Sequence, residues 1–264
     1  MIAPGRAKRP GAARPLLDPP SPDELASCPF CAGHEHMTPP QTLVLPEEGD
    51  WKVRVVPNLY PALDRQEVVV HSRRHIRSIA EAEDNELELV AEAWRRRAAD
   101  EPGYVFPLVN EGREAGASLP HSHSQLVWLP QTLPSRARPR AETVFERDDV
   151  LVSCPWASRV PYETVIAPLE PEPDPFSSPR LGPAIRLLAE VVRRLHALEG
   201  AAPLNAWLEH DANDWRLVLF PRLTILAGLE IGGGIFVNPV EPAVAASALA
   251  GMQPGGAPPP SDPG

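Results

Sequence analysis

Two periods of apolar residues run along this chain, and they recur twice in the same order. In residues 51–72, WKVRVVPNLYPALDRQEVVVHS, two valine-rich runs flank a proline-bounded turn, which predicts two strands. Residues 78–100, SIAEAEDNELELVAEAWRRRAAD, place apolar side chains at i, i+3 and i+4, the spacing of one helix face. YVFPLVNEG (104–112) and SHSQLVWLP (122–130) follow as strands. The second half repeats the order. DVLVSCPWASRVPYETVIAP (149–168) predicts two strands around a proline turn, and GPAIRLLAEVVRRLHALEG (182–200) predicts an amphipathic helix. LNAWLEHD (204–211) and DWRLVLFPRL (214–223) close the unit as strands. A duplicated α+β unit of roughly a hundred residues accounts for the pattern.

Proline sets the boundaries. The chain has 35 prolines, clustered at both termini, in 130–139 and in 168–183. We expect a first half over 1–130, a linker over 131–147, a second half over 148–250 and a tail of disordered composition over 251–264, GMQPGGAPPPSDPG. With 264 residues, 43% of them hydrophobic, the chain can bury a sizeable core. Its formal net charge of -10 argues against nonspecific binding of nucleic acid, which needs broad positive surface. No run of ~18 apolar residues predicts a membrane span. The N-terminus, MIAPGRAKRPG, lacks a secretory apolar core, so a cytoplasmic location is the default expectation. Of the three cysteines two form a CxxC pair, a pattern that in a reducing compartment favours metal over a disulfide.

The chemistry gathers in two stretches. In GASLPHSHSQLV (116–127) an extended strand would put His121, His123 and Gln125 on one face and turn Ser122 and Ser124 to the other. The preceding AGASLP offers backbone N–H groups and little bulk, which suits close approach of a phosphate. In SCPFCAGHEH (27–36), Cys28 and Cys31 have the spacing of half a tetrahedral zinc site. The pair could also be a redox pair or two buried cysteines; with no second CxxC, the further ligands of a metal site would come from far along the chain, where histidines are the available donors. His34, His36, His71, His75, His121 and His123 are the candidates.

These residues carry a resemblance. Five stretches, in order and over nearly the whole chain, resemble the galactose-1-phosphate uridylyltransferase family of the histidine-triad superfamily. APGRAKRP (3–10) resembles its arginine-rich phosphate-contact segment, and CPFCAGHEHMTPP (28–40) its zinc knuckle. VRVVPNLYPAL (53–63) resembles the strand and turn that follow the knuckle, and NEGREAGASLPHSHSQ (110–125) the active-site signature. PRLTILAGLEIGGGIFVNPVEPAVAA (221–246) resembles the C-terminal segment. The resemblance implies two tandem histidine-triad-like halves, with an antiparallel sheet and packed helices. It implies that His123 is the nucleophile that takes up a nucleotidyl group. Gln125 then replaces a third histidine, donating a hydrogen bond without passing a proton to the leaving group. Cys28, Cys31, His75 and His121 would hold zinc. Arg6, Arg9, Asn110, Gly116 and Ser118 would contact the phosphates, Asn58 the ribose or base, and Glu230 the hexose.

The implied substrates are a nucleotide sugar and a sugar phosphate, the implied context is galactose metabolism, and a homodimer is the assembly considered. The expected reaction is transfer of a nucleoside monophosphate from a nucleotide sugar to a hexose 1-phosphate through a nucleotidyl-histidine. The rivals are a phosphorylase that uses free phosphate, and a non-catalytic protein binding zinc and nucleotide. Several positions depart from the family pattern. The chain starts almost at the arginine segment, where relatives carry a preceding strand. Asp214 and Arg216 stand where relatives carry the histidines of an HWH stretch, which puts a second metal site in doubt. Thr224 and Ile225 replace a lysine and an aromatic residue, so the sugar cannot be read. Cys154 reads as a buried core cysteine.

Overall fold

The computed structural model describes residues 1–3, 19–100, 102–134 and 137–252. In the first half, strands β1 (Leu43–Leu45), β2 (Val53–Pro57) and β3 (Gln66–Val70) precede helix α2 (Asp84–Asp100) and strands β4 (Tyr104–Glu111) and β5 (His123–Leu129). A short helix α1 (Pro22–Ser27) comes before them all. The second half repeats this as β6 (Ala141–Arg147), β7 (Val150–Pro155), β8 (Thr164–Pro168), α3 (Leu181–Glu199), β9 (Leu204–His210) and β10 (Trp215–Pro221), followed by α4 (Gly228–Gly233) and α5 (Pro242–Gly251).

The ten strands form one antiparallel sheet in the order β1-β2-β3-β5-β4-β9-β10-β8-β7-β6. The second half therefore reads as the reverse of the first, and the halves meet where β4 pairs with β9. This is the α+β architecture the duplicated pattern predicts. Helices α2 and α3 pack on each other and on one face of the sheet. Leu87, Val90 and Trp94 of α2 and Ile185, Leu188 and Val192 of α3 share one core with Val105, Val109, Leu126, Leu217 and Leu219. Truncating one of these buried side chains to alanine costs about 2–5 kcal/mol. Directly opposed residues of antiparallel strands share a face. Register pairs Leu108 with Gln125 and with Trp207, and Val68 with Gln125, so these residues lie on the face turned away from Leu126 and Val109. On that face Val56, Val68 and Val70 meet Cys28 and Phe30 in a second, smaller core.

Some elements differ from expectation. The helix expected over 78–100 begins at Asp84. Ser78 and Glu81 instead close a capping box on a separate 3-10 turn, Ile79–Glu81. The last seven residues of the expected linker form β6, whose alternating AETVFER pairs with β7. The first two residues of the expected tail belong to the folded part: Gly251 closes α5 and Met252 is buried. Residues 253–264 lie outside the described residues.

Candidate active site and metal centre

Four ligand atoms converge beneath the start of β5. Cys28 Sγ lies 3.4 Å from His121 Nδ1, Cys31 Sγ 3.2 Å from His75 Nδ1 and 3.7 Å from His121 Nδ1. All four ligand atoms fall within 4.8 Å of one another. A tetrahedral ion with the bond lengths of zinc sets sulfur–nitrogen separations near ~3.5 Å, so the donor set fits such an ion. The ring nitrogens pointing away are committed. His121 Nε2–H donates to the Ser72 carbonyl at 2.9 Å, and His75 Nε2–H donates to Glu24 Oε1 at 2.8 Å. Both rings are thereby fixed with the Nδ1 lone pair turned inward, the outer-shell arrangement of metal-ligating histidines. Glu24 is itself gripped by Arg77, whose Nε donates at 2.7 Å and whose guanidinium holds the carboxyl below its usual range. Burial pushes His121 down to about 4, so the ring is neutral at physiological pH, the form in which an imidazole can ligate a metal. Burial, and then the neighbouring Cys28, push the Cys31 thiol up to about 12. Without a cation the thiol form is favoured; ionising both sulfurs this close together would require a cation between them. Among the described residues this is the one such cluster of three or more ligands.

His123 opens β5, and its buried ring meets the Phe30 ring edge to face at 5.3 Å. Its Nδ1–H donates to the His121 carbonyl at 2.7 Å, which leaves the Nε2 lone pair for bonding elsewhere. Burial lowers its pKa, favouring the unprotonated, nucleophilic ring. The strand begins at His123, so His121 sits in the bend before it, not on the strand as the spacing predicts. Both rings nonetheless reach Phe30. Ser122 and Ser124 turn the other way, as the alternation requires. Trp94 Nε1–H donates to Ser124 Oγ at 2.9 Å, tying α2 to the strand. Ser122 Oγ accepts from His71 Nδ1 at 3.0 Å and donates to Glu111 Oε1 at 3.3 Å. Glu111 also accepts from Ile79 N at 2.5 Å and Ser78 Oγ at 2.7 Å, and burial raises its pKa to about 7.

Gln125 is half-buried, and its Oε1 accepts a hydrogen bond from Gln66 Nε2. Asn110 lies in β4, and its Oδ1 accepts from Asn205 Nδ2 at 2.7 Å. The same Asn205 amide reaches the Ala115 carbonyl at 2.8 Å. Gly116 and Ser118 are exposed in the turn that follows β4. The expectation that this stretch offers backbone donors is corrected in part. The N–H groups of Ala115 and Ala117 both donate to the Gly112 carbonyl, and that of Gly116 donates to Arg113. These donors are spent inside the turn, and what it presents outward is small bulk. Asn58 stands at the head of the 58–63 loop, its Oδ1 accepting from Tyr60 N at 3.0 Å. Glu230 is buried, and its Oε2 accepts from Ala227 N at 3.0 Å, which caps α4. Arg6 and Arg9 lie outside the described residues. Of the other histidines, His34 Nδ1–H donates to the Cys28 carbonyl at 2.7 Å and stiffens the knuckle. In the second half, Asp214 pairs with Arg138 at 2.5 and 2.6 Å, and Arg216 with Glu209 at 2.8 Å. Guanidinium groups thus supply the cations at the two positions in question. Cys154 is buried, its thiol pushed up to about 12 by desolvation.

A cavity of about 360 Å³ opens at the seam of the halves. Phe106, Leu108, Asn110, Trp207 and Phe220 line it, and the Arg159 guanidinium lies 5.4 Å from the Trp207 ring centre and 5.0 Å from that of Phe220. Its volume lies within the ~300–1,000 Å³ range of small-molecule sites. Asn110 and Leu108 place it beside Gln125 on one sheet face.

Residues 61–134 match the family described as galactose-1-phosphate uridyl transferase, N-terminal domain. That span contains the two histidines and the glutamine just described. This stretch of the chain is thus similar to that family over the segment that carries the candidate site. An ADP-glucose phosphorylase of Arabidopsis thaliana is 25% identical over 304 residues, covering 92% of this chain and 86% of that protein. A galactose-1-phosphate uridylyltransferase of Thermotoga maritima is 28% identical over 192 residues, 53% of this chain and 57% of the relative. The crystal structure of an Arabidopsis thaliana ADP-glucose phosphorylase with bound ADP-glucose shares the fold. Its TM-score is 0.81 at 24% identity, over 96% of this chain and 94% of that one. These similarities support a nucleotidyltransferase or phosphorylase. No helix among the described residues is long and apolar enough to cross a membrane.

Proposed function

We propose that this chain moves a nucleoside monophosphate from a nucleotide sugar to a phosphate-bearing acceptor, with His123 as the covalent carrier. The single observation that carries the reading is the His123 ring, held by the His121 carbonyl at Nδ1 with the Nε2 lone pair left over. In the first half-reaction Nε2 attacks the α-phosphorus. The P–N bond forms, the bond to the bridging oxygen breaks, and hexose 1-phosphate leaves with the electron pair. In the second, an acceptor phosphate oxygen attacks the same phosphorus, the P–N bond breaks and the free imidazole returns. The leaving phosphate has a second pKa of about 6, so it departs without a general acid. A glutamine therefore suffices at Gln125, where its amide donates to a phosphoryl oxygen. Asn110 would contact the phosphates from the neighbouring strand, with Gly116 and Ser118 giving them room. Arg6 and Arg9 remain candidates for the same phosphates, Asn58 for the nucleoside and Glu230 for the hexose. The seam cavity is where we place the sugar or base. Zinc, held by Cys28, Cys31, His75 and His121, would serve as a closed structural cross-link between the knuckle and the bend before β5.

Two acceptors fit. A hexose 1-phosphate gives the uridylyltransferase reaction of the family. Inorganic phosphate gives a phosphorylase, and the extent of the ADP-glucose phosphorylase match, 92% of this chain against 53% for the uridylyltransferase, favours it. Protein labelled from ADP-glucose or UDP-glucose carrying ³²P at the α-phosphorus separates them. Chase with inorganic phosphate should release a labelled nucleoside diphosphate, and chase with glucose 1-phosphate a labelled nucleotide sugar. Protein that takes up no label from either donor would refute the reading.

A further inference from the structure

We propose that Gln66 is a positioning residue for the transfer, fixing which end of the Gln125 amide faces the phosphoryl group. The inference rests on the roles given above to His123 and Gln125. An amide side chain has two ends of nearly equal size and opposite polarity. Turned one way, Gln125 offers N–H to a phosphoryl oxygen; turned the other, it offers a carbonyl oxygen and repels it. Rotation by 180° changes little in shape, so hydrogen bonds must choose.

The choice is made two residues away. Register pairs Gln66 with Val127 and Val68 with Gln125, so the two glutamines are diagonal neighbours on one face. Gln66 Oε1 accepts from the backbone N–H of Ala62 at 2.7 Å. A backbone N–H cannot accept in return, which fixes the Gln66 carbonyl toward Ala62 and its NH2 toward Gln125. That NH2 donates to Gln125 Oε1. With its carbonyl engaged, Gln125 has only its own NH2 left to present. The loop that sets this direction is itself anchored on Gln66, since Asn58 N–H donates to the Gln66 carbonyl at 2.9 Å. The arrangement recurs on the next strand, where Asn205 donates to Asn110 Oδ1 and leaves the Asn110 NH2 to face outward. Each of the two amides beside the nucleophile is thus oriented by a second amide, which touches neither reacting atom.

The test follows nucleotidylation of His123 in single turnover, with ADP-glucose and UDP-glucose labelled at the α-phosphorus. Gln66→Glu keeps the acceptor for Ala62 and removes the donor to Gln125, whose NH2 then turns inward. Loss of one preorganised donor lowers rates about 100-fold, which is the drop expected. The half-saturating concentration should change by less than ~3-fold, because the donor acts on the transition state more than on binding. Gln66→Met, with neither donor nor acceptor, allows both orientations and should lose roughly 10-fold. In a Gln125→Ala background either substitution should have no further effect, the signature of two residues acting as one. Full additivity in that background, or a labelling rate for Gln66→Glu within about threefold of the parent protein's, would overturn the proposal. Should Gln66→Glu fail to fold, the Gln66→Met cycle decides by the same criterion. A Gln125→Ala protein that labels at the parent rate would instead remove the assignment on which the proposal stands.

Discussion

At the scale of single residues, the sequence shows the atoms that act and hides those that orient them. The CxxC and the His-x-His pair are legible because their chemistry is written into short spacings. Spacing left six histidines open as partners of the cysteines, and the resemblance singled out His75 and His121. Glu24, Gln66, Glu111 and Asn205 were not legible. Each acts on a residue far along the chain, and only the fold brings Glu24 to His75 across 51 positions. The SPDE run at 21–24 was the one local signal, because Ser21 caps α1 by accepting from Glu24 N at 3.1 Å. Glu24→Gln should lower metal affinity ~10–100-fold, read by competition with a chromogenic chelator. Cys28→Ser should lower metal content and soluble yield together, and unchanged metal content in both variants would remove the four-ligand site. Glu111 gives a pH test. Its pKa is raised from 4.5 to about 7 by burial, so the folded protein holds a proton there that the unfolded chain releases. The stability this contributes is fully present below pH 4.5 and is lost as pH rises through about 7. Wild-type melting temperature should therefore fall more between pH 5 and pH 8 than that of Glu111→Gln, and parallel melting curves would contradict the assignment.

At the scale of elements, periodicity found α3 within a residue at each end and eight of the ten strands. It missed β1 and β6. The first spans three residues, Leu43–Leu45. The second follows a proline-rich stretch and carries charge at Glu142, Glu146 and Arg147 on an open edge. α5, PAVAASALAG, is apolar on all sides and shows no periodicity to read. The turn after β4 is where local geometry meets function. Gly112 adopts φ +83°, and a Cβ there would come within 2.7 Å of Pro203 Cβ in the segment that leads into β9. Gly112→Ala faces both a left-handed backbone and a clash, and should cost about 1–3 kcal/mol in denaturant unfolding. It should also slow nucleotidylation by displacing the turn that leads to His121 and His123. A Gly112→Ala protein as stable as its parent would show that the turn and Pro203 are not in contact.

At the scale of the whole molecule, duplication yields one continuous sheet with a single reactive end. β4 and β9 join the halves, and their seam carries the cavity beside Asn110. The first half holds the cysteine and histidine cluster and His123, the proposed nucleophile. The second keeps the strand order and holds its counterpart positions with the Arg138–Asp214 and Arg216–Glu209 ion pairs. The tandem repeat was legible because both copies share one order of periods. The seam was not, because strand neighbours are set by pairing between distant segments. In the proposed reaction His123 alone carries the nucleotidyl group while His121, two residues before it, holds metal. Mass analysis of protein quenched after mixing with ADP-glucose or UDP-glucose tests this most directly. One acid-labile nucleotidyl adduct is expected on the peptide that contains His123, absent from His123→Gly protein whose metal content is unchanged. An adduct that persists in His123→Gly, or one mapped to another residue, would contradict it.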